Sequence, residues 1–108
     1  MDMQVTFTIG LTTVFGTTYR VDEVIDGVSE ILAQVGVDGF TVTEHIGYWK
    51  GTAEKSLSFS VVYNSREDSW PLAWSELARL MARRFQQEGV LLVGQECFGR
   101  IVGSGALL

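Results

Sequence analysis

Cysteine, proline and histidine each occur once in this 108-residue chain, as Cys97, Pro71 and His45. A single cysteine cannot close an intramolecular disulfide, so a reducing, cytoplasmic setting is expected. A single histidine leaves no His-Cys or His-carboxylate set at ligand spacing, so no metal centre, cofactor or Cys-His dyad is expected. Basic residues are also scarce. Eight Lys and Arg stand against 13 Asp and Glu, a net charge of −5, which excludes the positive footprint that direct nucleic-acid binding needs. The acidic balance fits a basic protein partner instead. The opening MDMQVTFTIG has no basic segment ahead of an apolar one, so no secretory leader is expected. No uncharged run is apolar enough to span a bilayer, and no membrane role is expected. Linkers and internal repeats are missing too, which leaves one domain over residues 1–108.

What is present is periodicity. Val5, Phe7, Ile9 and Leu11 alternate with Thr6, Thr8, Gly10 and Thr12, the pattern of a half-buried strand. From about Asp22 to Val35 the apolar residues Val24, Val28, Ile31, Leu32 and Val35 recur at helical spacing, with acids in the first turn and Gly36 as the C-cap. Phe40, Val42, Ile46 and Tyr48 share one face of a second strand with Glu44, so a bulge or a sheet edge is expected there. Leu57, Phe59, Val61 and Tyr63 alternate with Ser56, Ser58 and Ser60 in a third. Trp70, Trp74, Leu77, Met81 and Phe85 predict a second helix, with Pro71 in its first turn and its end at Glu88–Gly89. Val90–Val93 is apolar at every position, which predicts a fourth strand covered on both sides.

Strand, helix, strand, strand, helix, strand is the order of an α+β, ferredoxin-like βαββαβ sandwich. It has a four-stranded antiparallel sheet with two helices on one face, strands one and three being central. If the odd-numbered residues of those strands meet the helices, Thr6, Thr8, Thr41, Thr43, His45, Ser56, Ser58 and Ser60 line the other face.

Gly47-Tyr48-Trp49, Glu54-Lys55-Ser56 and Phe85-Gln86-Gln87-Glu88-Gly89-Val90 resemble the GxW, ExS and FxQExV motifs of a bacterial and phage ferredoxin-like family of unknown function. Trp49-Lys50-Gly51 followed by Glu54 is similar to a turn of the trimeric divalent-cation-tolerance proteins, shape relatives of the PII regulators. That resemblance implies sheets packed edge to edge with small ligands in subunit clefts. Val14-Phe15-Gly16-Thr17-Thr18-Tyr19-Arg20 and Val35–Phe40 resemble the phosphate loop and a following turn of acylphosphatase. An anion held by Gly16, Thr17 and Arg20 is what that implies. Thr43 replaces the family's water-orienting Asn, and Asp22 and Glu23 would repel an anion.

No catalytic residue is expected from these patterns. Hydroxyls and apolar side chains mixed on one sheet face are typical of a face that meets another surface. Thr6, Thr8, Thr43, His45, Trp49, Ser58 and Ser60 are therefore the expected ligand or interface residues. The function expected is that of a non-enzymatic homo-oligomer, a dimer or trimer, binding a small molecule or a protein. The alternatives are a small acidic inhibitor of a nucleic-acid-processing enzyme, as in a phage-type antagonist, and an acylphosphatase-like hydrolase using Arg20.

Overall fold

A computed structural model describes residues 2–64, 74–99, 102, 103 and 105. In chain order the elements are β1 (Asp2–Gly10), α1 (Val21–Gln34), β2 (Thr41–Trp49), β3 (Thr52–Asn64), α2 (Trp74–Arg84) and β4 (Leu91–Cys97). The strands form one sheet in the order β2-β3-β1-β4, and every neighbouring pair is antiparallel. This is the ferredoxin-like arrangement, with β1 and β3 central.

Strand alternation decides the layers. Val5, Phe7 and Ile9 from β1 join Leu57, Phe59 and Val61 from β3 on the covered face. Val24, Val28, Ile31 and Leu32 of α1 and Leu77, Ala78 and Met81 of α2 close the same core. Trp74 leans on Phe7 at 6.0 Å and on Tyr63 at 5.4 Å between ring centroids. Helix α1 ends in paired bonds, Gly36 N–H to Ala33 O and Val37 N–H to Leu32 O, which seat the buried Val37 beneath its last turn.

The expectation at Glu44 resolves as a sheet edge. Strand β2 is an outer strand, its pairing runs unbroken through Glu44↔Leu57, and Glu44 meets Lys55 at 2.7 Å.

Two expectations are corrected. Strand β4 is an edge strand, and Leu91 and Val93 are exposed on the face opposite α1 and α2. Four apolar residues in a row identified the strand but did not require cover on both sides. Helix α2 ends at Arg84, before Glu88. There Gln86 takes a positive φ of 53° while Gln87 N–H reaches back to Ala82 O, which turns the chain away from the axis. The expected start of that helix at Trp70 and Pro71 lies outside the described residues.

Candidate functional site

The register places Thr6, Thr8, Thr43, His45, Trp49, Ser58 and Ser60 together on the face away from the helices. Directly opposed hydroxyls pair across the central strands: Thr6 with Ser60 at 3.0 Å and Thr8 with Ser58 at 2.8 Å. His45 Nε2 lies 2.6 Å from Ser58 Oγ, so an imidazole and two hydroxyls form a short chain. Val62, Leu91, Val93 and Trp49 add exposed apolar surface to this face.

Thr8, His45 and Trp49 also line a groove of about 740 Å3 at one end of the sheet. Thr6, Thr43, Ser58 and Ser60 are not among its lining residues. The floor contains Gly10 and Gly47, which flank β3 on either side. Glycine inside a strand marks close approach to the backbone, and at Gly10 the approaching group is a carboxylate. A Cβ there would overlap the Glu54 carboxyl, whose Cδ lies 2.5 Å from that point, and Gln87 Oε1 lies 3.1 Å from it. Ser56, although on the open face, is buried, and its hydroxyl donates to Glu54 O.

Three short segments wall the groove. One is the hairpin Thr12–Thr18, closed by Thr13 N–H to Thr17 O, Gly16 N–H to Thr13 O and Phe15 N–H to Thr13 Oγ1. The second is the turn between β2 and β3, where Lys50 and Gly51 carry positive φ of 51° and 80°, the signature of a tight two-residue turn. The third is the Gln86–Val90 junction. Among the described residues, Lys50 and Gln86 are the non-glycine residues with positive φ, and each adjoins the groove. Unfavourable backbone of this kind costs on the order of 1 kcal/mol and persists where surrounding contacts hold it.

Those contacts are present. Trp49 Nε1 donates to Glu88 Oε2 at 3.0 Å, and Lys50 Nζ meets Glu88 Oε1 at 2.6 Å. This clasp ties the β2–β3 turn to the α2–β4 junction across the end of the sheet. The Lys50 ammonium, followed by the Trp49 indole, holds the Glu88 carboxyl below the usual carboxylate range. Gln87 Nε2 donates to Thr12 O and to Phe85 O, both at 3.1 Å, and so links the third wall to the first.

The anion loop has other engagements. Thr13, Val14, Phe15 and Gly16 each donate their N–H within the loop or to Gln86 O. Arg20 Nε sits 3.2 Å from Asp22 and 3.4 Å from Glu23. Gly16, Thr17 and Arg20 are not among the groove-lining residues. Among the described residues no cluster of His, Cys, Asp and Glu could hold a metal ion.

Gly10, Glu54, Gln87 and Glu88 were absent from the expected site. Their signals were in plain sight, as the glycine that ends β1 and as members of the ExS and FxQExV motifs. Gly47-Tyr48-Trp49, Glu54 with Ser56, and Gln87 through Val90 all converge on the groove from distant parts of the chain.

No family model matches the chain, and no curated protein does. Among solved structures, the chain is similar to a phage SAM lyase in complex with S-methyl-5′-thioadenosine. That match has TM-score 0.70 and 17% identity, and covers 88% of this chain and 81% of the other. A phage SAM lyase in the apo state matches with TM-score 0.62 and 16% identity, covering 86% and 78%. At that identity the likeness establishes the fold.

Proposed function

We propose that this protein is a homo-oligomeric binding protein that assembles through its open sheet face and strand edges. Its small-molecule site is the groove at the end of that face. The observation that carries the reading is convergence: three motif stretches remote in sequence supply one groove with carboxylates, amides, hydroxyls and an indole. A concave, partly apolar site with a few directed polar groups is the usual form of a small-molecule site. Assembly draws support from Val62, Leu91 and Val93, exposed apolar residues on the face opposite α1 and α2.

The ligand class to test first is an adenosyl thioether or sulfonium, because a neighbour of this fold is a lyase holding S-methyl-5′-thioadenosine. The indole of Trp49 with Val90 and Leu91 offers apolar surface for a base. Glu54, whose carboxylate has no ion-pair partner among the described residues, favours a neutral or cationic ligand over an anion. Calorimetry with S-methyl-5′-thioadenosine should give saturable binding that weakens when Trp49 is replaced by Ala. Heats indistinguishable from dilution for both proteins would remove this ligand class.

A second reading is lyase chemistry, favoured by the Glu54 carboxylate, which makes no ion pair with the described residues. In an elimination, Glu54 would accept a proton from the carbon next to the one that bears sulphur. The C–H pair would become the new C=C bond, and the C–S pair would leave with sulphur as a neutral thioether. Release of S-methyl-5′-thioadenosine from SAM, lost in Glu54→Gln, is the expected outcome. Release unchanged in that variant would refute the role of Glu54.

A further inference from the structure

We propose that Glu54 and Gln87 together form a subsite for a vicinal diol, the 2′,3′-hydroxyl pair of a ribofuranoside; this rests on the binding reading of the groove above and stands in place of the base role of Glu54. The amide orientation of Gln87 is set by its surroundings. Its Nε2 donates to two carbonyl oxygens, Thr12 O and Phe85 O, and a flipped amide would face oxygen with oxygen at both contacts. Gln87 Oε1 is thereby turned toward the space above Gly10, the same space that the Glu54 carboxyl occupies. Two acceptor oxygens turned toward one space in a groove call for a donor between them.

The chemistry of that donor is constrained. A phosphate or carboxylate would bring more acceptors and more negative charge, and is repelled. An ammonium would satisfy both oxygens but could accept nothing from the hydroxyls of Thr8 and Thr12, which line the same groove. A vicinal diol donates twice from adjacent carbons and still accepts. A carboxylate taking a ribose hydroxyl is an established mode of nucleoside recognition. Gly10 becomes a specificity element in this arrangement, since any side chain there displaces the Glu54 carboxyl.

The test compares S-methyl-5′-thioadenosine with its 2′-deoxy and 3′-deoxy analogues by calorimetry on wild type, Glu54→Gln and Gly10→Ala. Wild type should prefer the diol by roughly ten- to a hundredfold, the factor carried by one hydrogen bond to a charged acceptor. Glu54→Gln should erase the preference by weakening the diol compound alone. Gly10→Ala should do the same with the melting temperature nearly unchanged, which covers the case in which Glu54→Gln folds poorly. Equal wild-type affinity for all three compounds, or equal weakening of all three by Glu54→Gln, would overturn the subsite and leave the groove reading standing. Wild type binding none of the three would overturn the subsite and remove the adenosyl ligand class from the groove.

Discussion

The two faces of the sheet are built on opposite terms. Under the helices, Phe7, Ile9, Leu57 and Phe59 are buried to completion, and each contributes through apolar area removed from water. On the other face, the same strands carry Thr6, Thr8, Ser58 and Ser60, which pair their hydroxyls, and Gly10, which leaves room for a carboxyl. The contrast sharpens toward the groove, where positive-φ residues and a carboxylate lying over backbone replace regular packing. Buried apolar packing is concentrated on one face, and hydroxyl pairs and a groove on the other.

Substitutions should separate the faces by size of effect. Phe59→Ala and Leu77→Ala should each cost about 2–5 kcal/mol, measured by urea unfolding. Losses below about 1 kcal/mol at both would mean that the covered face is not the stabilising one. On the groove side, Gly10→Ala should change stability by less than about 1 kcal/mol, because the group it displaces is the free end of a flexible side chain. A cooperative loss like that of Phe59→Ala would erase the distinction between the faces.

The clasp sharpens the comparison through pH. In the folded protein the Glu88 carboxyl is depressed below its ordinary range by Lys50 and Trp49. A depressed acid contributes stability above its unfolded value and loses it as pH falls through the folded one. The Trp49 indole N–H resonance should therefore hold its position at neutral pH and shift on acidification below the usual carboxylate range, while core methyl signals stay fixed. In Glu88→Gln that transition should vanish. An identical acid transition in the variant would show that another group drives it. Smallest of all is the expected effect of Arg20→Ala, within about 0.5 kcal/mol, since its ion pairs with Asp22 and Glu23 are exposed to solvent.

The difference between the faces also explains what could be read in the sequence. Period-two and helical spacing come from burial, so β1, β3, α1 and the middle of α2 were legible, and with them the fold. The open face followed by parity alone, which assigned Thr8, His45 and Trp49 to it together with Thr6, Thr43, Ser58 and Ser60. Gly10 and Glu54 kept the parity of the open face, but no period joined them to Gln87. Their meeting depends on the β1–β3 register and on a positive-φ turn at Gln86. Neither leaves a local signature in a non-glycine residue. Strand β4 was misread as covered because apolar residues on an uncovered edge look the same in sequence as buried ones.

The most direct test of the groove is a titration of the isotope-labelled protein with S-methyl-5′-thioadenosine, followed by amide and indole resonances. The account predicts saturable shifts at Gly10, Gly47, Gln87 and the Trp49 indole, with α1 amides unmoved. Shifts confined to the helices, or none at millimolar ligand, would contradict it.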